Sequence, residues 1–197
     1  MAGIEVASWI SPEVVSKLRA LPKVFVVHAA SGAVALLAGP LQLRTTLRKR
    51  WPAFHKISGR VYVYSVWIAS ISAAVIAPFF NVSVAAKVAF ETLSTLWFVI
   101  TTVGMRTAIT RHFLAHRRWM LRSFALTMFF VTGSLWMDVS RSLPYPQEVT
   151  YPIAIFLGWV LNLGAAELWI HYVSRKRSIS GIVSKTRIFK SELQVNK

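Results

Sequence analysis

Leu114–Ser140, LAHRRWMLRSFALTMFFVTGSLWMDVS, is the stretch of the sequence that decides the fold. It begins with a basic cluster and then stays apolar for long enough to cross a bilayer, which takes about 20 residues. Arg122 lies about one helical turn inside the apolar segment. A charge at that depth is costly unless another group meets it, so the stretch predicts a transmembrane helix packed against others.

The composition of the whole chain agrees with a membrane protein. Of its 197 residues, 55% are hydrophobic and only 15% are charged. Both values are unusual for a soluble domain. The net charge of +16 would suggest a nucleic acid partner in a soluble protein, but here the cations flank apolar segments and we expect no nucleic acid. The chain has no cysteine, which excludes disulfides and thiolate metal sites.

Hydropathy predicts an all-α, polytopic membrane bundle with five transmembrane helices. The predicted spans are Val24–Leu43, Val61–Phe80, Ala85–Met105, Trp119–Asp138 and Tyr151–Val173. Residues 1–23 predict a short helix at the membrane surface, with Ser11 as its cap and Pro12 in its first turn. Residues 174–197 predict a basic tail that is flexible or bound to the surface.

The basic residues also predict how the bundle is oriented. Eighteen Lys and Arg lie in the connection between the first two spans, around the turn between the third and fourth spans, and in the tail, whereas five lie on the other side. By the positive-inside rule, the N-terminus is outside and the C-terminus is cytoplasmic, or in the matrix if the membrane is organellar. We expect the basic loops to contact anionic lipid headgroups.

His28 shares one side of the first predicted span with small residues. Gly32, Ala35 and Gly39 follow it at helical spacing, and such a side lets a neighbouring helix approach closely. We therefore expect His28 to point into the bundle. Two interpretations stay open: a neutral imidazole bonded to a neighbouring helix, or a ligand or proton acceptor.

Polar residues form a stripe along the third span and another along the fourth. Their members are Glu91, Thr95, Thr102 and Arg106 in the third span, and Ser123, Thr127, Ser134 and Asp138 in the fourth. If the stripes face each other, they form a polar seam, which could serve as hydrogen-bonding glue or as a proton path. Pairs within one helix, Lys87 with Glu91 and Arg141 with Asp138, would weaken the second interpretation.

The fifth span carries a carboxylate that can meet Arg122. With a rise of 1.5 Å per residue, Glu167 and Arg122 lie about 9 and 7 Å from the same membrane edge, so we expect an ion pair. Glu167 could instead hold His171, which is one turn away.

Four of the five histidines lie near the inner edge of the membrane, where a haem could be held by two of them. His55 and His116 are the candidate metal ligands, and Arg122 could anchor an anionic group. The alternative is that the histidines are ordinary interfacial residues. The sequence has no HExxH, P-loop or dinucleotide fingerprint.

Several segments, in order, resemble the domain of unknown function 2306 (DUF2306) family of predicted membrane proteins. They are His28-Ala-Ala-Ser-Gly32, Gly39-Pro40-Leu41-Gln42, Leu47-Arg48, Pro52-x-x-His55-Lys56-x-x-Gly59-Arg60-Val61-Tyr62, His116-Arg-Arg-Trp-Met-Leu-Arg122-Ser-x-Ala125-Leu-Thr127 and Trp159-Val-Leu-Asn162-Leu-x-x-x-Glu167. The resemblance covers about residues 24–172 and implies a small polytopic bundle, while the family name assigns no activity. The residues that carry over are His28, Gln42, His55, Arg60, His116, Arg122, Asn162 and Glu167.

Three hypotheses for function follow. The first is a small membrane protein that binds one haem b or a quinone-like ligand in a polar pocket near the inner face. Its candidate residues are His28, His55, His116, Arg122, Glu167 and His171. The second is a non-catalytic accessory subunit of a larger membrane complex, and the third is a small proton-coupled transporter that uses the polar seam.

Overall fold

All regular secondary structure in the described part of the chain is helical. The computed structural model describes residues 21–195, with side chains through Lys176. Its helices are α1 (Pro22–Leu43), α2 (Thr45–Arg50), α3 (Pro52–Ile76), α4 (Val84–Ile109), α5 (Phe113–Thr127), α6 (Phe129–Ser142) and α7 (Gln147–Val195), with a 3-10 turn at Ala77–Phe79. The all-α fold is confirmed. The surface helix predicted at residues 1–23 lies outside the described residues except for its last three.

Five helical segments are long and apolar enough to cross a membrane. They are Pro22–Leu43, Pro52–Phe79, Val84–Ile109, Phe113–Ser142 and Gln147–Lys176. The number of spans agrees with the prediction, but all five segments are longer than predicted. A prediction from hydropathy ends each span before its polar and basic flanking residues, whereas the backbone hydrogen bonds of the helix continue through those residues. Helix α7 keeps its helical backbone through the basic segment as far as Val195.

Short connections make successive spans antiparallel. Pro22 and Pro52 begin α1 and α3 at the position where a missing N–H costs nothing. The Ser83 hydroxyl caps α4 by accepting from the N–H of Ala86. The turn between α4 and α5 is tight enough to hold Arg111 at a φ of 60°. We call the end of the bundle that holds α2 and this turn the basic edge, and the other end the opposite edge.

Small residues let α1 pack closely in the bundle. Gly32 and Gly39 are buried on the side of α1 that packs against the neighbouring helices. A Cβ atom at Gly32 would overlap the Phe130 ring, and one at Gly39 would overlap the Phe124 ring. The close approach predicted for this side of the first span is therefore confirmed.

The fourth span consists of α5 and α6, which meet at Met128. The backbone stays in the right-handed helical region there, and the Met128 carbonyl accepts from the N–H groups of both Val131 and Thr132. Ser123 and Thr127 are fully buried in α5. A continuous helical period would next bury Ser134, but Ser134 is exposed and its neighbour Gly133 is buried instead. The buried side therefore slips by one residue along the span, which the sequence analysis did not predict.

Candidate functional site

The predicted metal ligands His55 and His116 line one cleft at the basic edge, because the first turns of α3 and α5 both lie there. The Gln42 amide, placed with its oxygen accepting from the N–H of Gly59, donates to His55 Nδ1 over 3.2 Å. His116 Nδ1 donates to the carbonyl oxygen of Gly104 over 2.8 Å. Both imidazoles are thus fixed by hydrogen bonds to neighbouring residues.

This cleft does not fit a haem. With the amide in this orientation, Gln42 uses the Nδ1 lone pair of His55. The cleft encloses about 30 Å³, which is room for about two water molecules. Within residues 21–176, no three His, Asp or Glu side chains cluster as metal ligands. We therefore derive no chemistry through haem.

Arg122 and Glu167 form the ion pair that their equal depth predicts. Arg122 Nε donates to one carboxylate oxygen of Glu167, and Nη2 donates to the other over 2.9 Å. The guanidinium also lies over the Trp119 ring, 4.7 Å from its centre. This two-bond geometry is the strong form of an arginine–carboxylate pair, and it satisfies the charge that the sequence places inside the membrane.

The predicted pocket residues do not form a single pocket. Arg122 and Glu167 are absent from the walls of the cleft that holds His55 and His116. His171 is exposed on α7, and both carboxylate oxygens of Glu167 are bonded to Arg122, so the alternative pairing of Glu167 with His171 is not the one that forms. His28 lies in the other half of the bundle, as its position in α1 requires.

His28 faces the interior, as predicted, and contacts two neighbouring helices. Its Nδ1 donates to the carbonyl oxygen of Ala69 in α3 over 2.9 Å. Its ring stacks on Phe130 of α6, with ring centres 5.4 Å apart. This arrangement agrees with the interpretation of a neutral imidazole bonded to a neighbouring helix.

Beside His28 lies an apolar cavity of about 390 Å³. Its walls come from α1, the end of α3, α4 and both halves of the fourth span, all in the half of the bundle toward the opposite edge. Six aromatic side chains contribute to the walls: Phe25, Phe80, Phe90, Trp97, Phe129 and Phe130. The polar side chains in the walls are His28, Ser94 and Ser134. The sequence analysis did not find this cavity, because its wall residues are spread over four spans and share no motif.

A buried polar network joins α3, α4 and α5 in the middle of the bundle. The Tyr62 hydroxyl lies 2.8 Å from Ser123 Oγ and 2.9 Å from Thr127 Oγ1. Trp97 Nε1 donates to Thr127 Oγ1 over 3.1 Å, and Thr101 Oγ1 lies 2.6 Å from Ser123 Oγ. All five side chains are buried.

One assignment of protons satisfies every member of this network. The indole N–H of Trp97 donates to Thr127, Thr127 to Tyr62, Tyr62 to Ser123, Ser123 to Thr101, and Thr101 to the carbonyl oxygen of Trp97 at 2.7 Å. The chain of donors starts and ends on the same residue, and each proton is used once. A buried network in which every member is satisfied rigidifies the packing of α3, α4 and α5.

The predicted seam between the two polar stripes does not form along its whole length. Thr95 is exposed, and the Thr102 hydroxyl accepts from the indole of Trp67 instead of facing the fourth span. Lys87 donates to the carbonyl oxygen of Pro78 over 2.8 Å and makes no ion pair with Glu91. The pairing of Arg141 with Asp138, at 2.6 Å, is confirmed. A continuous proton path along these stripes is therefore absent from the described residues.

Comparison with known families matches most of this bundle. A family model described as "Predicted membrane protein (DUF2306)" matches residues 25–170. The chain belongs to the DUF2306 family. Searches of curated proteins and of solved structures found no match.

The DUF2306 match confirms the resemblance drawn from the sequence and makes the chain a multi-pass membrane protein. The matched segment contains the cleft, the ion pair, the polar network and the cavity, while His171 lies one residue beyond its end. The sequence analysis did not single out Tyr62, which holds the buried polar network together. Its signal was available, since a tyrosine inside a predicted span needs a partner for its hydroxyl.

Proposed function

We propose that this DUF2306 protein binds an apolar, ring-bearing ligand of the quinone type in the cavity beside His28. The cavity volume of about 390 Å³ is the observation that carries the proposal. Sites for small ligands typically enclose about 300–1,000 Å³ with mostly apolar walls and few polar groups. The cleft at His55 and His116 is more than tenfold smaller.

The side chains in the walls support a ring-bearing ligand rather than a simple alkyl chain. Aromatic rings on several sides favour stacked or edge-to-face contacts with a flat ring. The hydroxyls of Ser94 and Ser134 donate to backbone carbonyls of their own helices, over 3.0 and 2.7 Å, so their oxygens can still accept. A hydroxyl-bearing ring, such as the reduced form of a quinone, complements these acceptors.

We further propose that the basic edge faces the cytoplasm, or the matrix in an organelle, and that the N-terminus is outside. The excess of Lys and Arg at that edge supports this orientation. The cavity then lies in the outer half of the membrane, within reach of ligands that diffuse laterally in the lipid.

Fluorescence of the full chain in detergent tests the ligand proposal. The probe is a benzoquinone with a short isoprenoid chain, which quenches nearby tryptophans such as Trp97 in the cavity wall, and its reduced form is added as a competitor that should relieve the quenching. We expect saturable quenching by the native chain. Ala73→Phe places a ring in the cavity and should weaken binding by at least about tenfold, or about 1.4 kcal/mol.

Val75→Phe is the matched control, because Val75 is on the same helix but is 47% exposed on the outside of the bundle. It should bind the probe as the native chain does. Circular dichroism and gel filtration verify that both variants are folded. Non-saturable quenching of the native chain, or equal affinity in Ala73→Phe, would exclude the cavity as the binding site.

A further inference from the structure

The cleft at the basic edge collects three arginines around a small space. Arg44 comes from the connection after α1, Arg48 from α2 and Arg117 from the first turn of α5, and all three line the cleft with His55 and His116. Guanidinium groups present planar forks of N–H donors that match the oxygens of a phosphate. The cleft has room for about two water-sized atoms, so it can take oxygens of a phosphate group that lies at its mouth and cannot take a ring system.

No carboxylate among the described side chains balances the charges of these arginines. Among the described side chains, residues 21–176, none of the three makes an ion pair with a carboxylate. The described carboxylates in the spans are mostly toward the opposite edge, and Glu167, which is nearest the basic edge, is bonded to Arg122. Three positive charges converging on one cleft therefore favour an anionic ligand.

Arg117 stands between the cleft and an apolar groove and lines both. This side chain also lines a groove of about 200 Å³ between α5 and α7, together with Leu114, Leu121, Trp169 and Ile170. Leu114 and Trp169 are more than half exposed on the outside of the bundle, where acyl chains lie. A phosphate beside an apolar groove at the membrane edge is the arrangement of a phospholipid.

We propose that this DUF2306 protein binds one anionic phospholipid at the basic edge, with the headgroup phosphate between Arg44, Arg48 and Arg117 and an acyl chain along the groove beside Leu121. This site is separate from the cavity beside His28 and does not depend on a ligand there. The lipid joins the start of α5 to the connection after α1, two parts of the bundle that otherwise repel each other through like charges.

Lipid binding to the purified full chain tests this proposal, at about 0.15 M salt so that surface charges are screened. The probes are phosphatidylglycerol, phosphatidylcholine and inorganic phosphate, and native mass spectrometry or a thermal shift measures binding. We expect the native chain to prefer phosphatidylglycerol over phosphatidylcholine by at least about tenfold. The double variant Arg48→Gln/Arg117→Gln should lose this preference.

A matched control removes the same amount of charge elsewhere. Arg50→Gln/Arg60→Gln changes two exposed arginines at the same edge that do not line the cleft, and it should keep the preference. If the first double variant does not fold, Arg48→Lys/Arg117→Lys keeps the charge but loses the forks, and an intermediate preference is expected. Absence of a preference in the native chain, equal loss in both glutamine variants, or inorganic phosphate binding as tightly as the lipid would overturn the proposal.

Discussion

Removing the hydroxyl of Tyr62 is the sharpest test of the buried network. Tyr62→Phe keeps the ring but deletes two hydrogen bonds, to Ser123 and to Thr127. Polar contacts between membrane helices are worth about 0.6 kcal/mol each on average and at most about 1.7 kcal/mol. Thr127 can redirect its proton to the carbonyl oxygen of Ser123, 3.0 Å away, whereas Ser123 loses a donor outright. We therefore expect a loss of about 1–2 kcal/mol in the free energy of unfolding.

Reversible unfolding in mixed micelles, with SDS as the denaturant, measures this difference. Tyr64→Phe is the control, since Tyr64 is 50% exposed and is two residues away on the same helix. Its free energy of unfolding should change by less than about 0.5 kcal/mol, as for most surface substitutions. If Tyr62→Phe changes the free energy no more than this control does, the closed chain of donors contributes nothing to stability and the reasoning is refuted.

Two further predictions concern the ion pair and the orientation. Glu167→Gln leaves Arg122 without its counter-charge. Breaking a fully buried pair costs about 3–5 kcal/mol. Because the Glu167 side chain is 37% exposed, we expect a smaller loss of about 1–2 kcal/mol in the free energy of unfolding, measured in the same assay. The double variant Arg122→Gln/Glu167→Gln should lose less than Glu167→Gln alone, and a greater loss would contradict the pairing. Because the chain has no cysteine, a single introduced cysteine reports which side of the membrane it is on. In intact cells, a membrane-impermeant maleimide should label Ser142→Cys and not Thr46→Cys. The reverse labelling pattern would show that the proposed orientation is wrong.

The sequence alone was sufficient to predict the features that depend on a single helix or on depth in the membrane. Hydropathy predicted five spans, and the rise per residue predicted the pairing of Arg122 with Glu167. The small side chains of α1 predicted a close helix contact. Each of these features follows from a local rule. A charge inside the membrane needs a partner at the same depth, and a helix side made of small residues needs a neighbouring helix.

The remaining features, which were expected and not found or were overlooked, depend on how the helices are rotated about their axes relative to one another. A seam between the two polar stripes required them to face each other, but rotation turns Thr102 toward Trp67 and Thr95 outward. Tyr62 acquires its role only when α4 and α5 pack against α3. Periodicity defines the sides of a single helix and carries no information about which neighbour each side meets.

The two halves of the fourth span, which meet at Met128, contribute to different parts of the interior. The N-terminal half, α5, carries Ser123 and Thr127 of the polar network. The C-terminal half, α6, carries Phe129, Phe130, Ser134 and Met137 of the cavity wall. Substitutions in α6 can therefore reshape the cavity without removing any hydroxyl of the network.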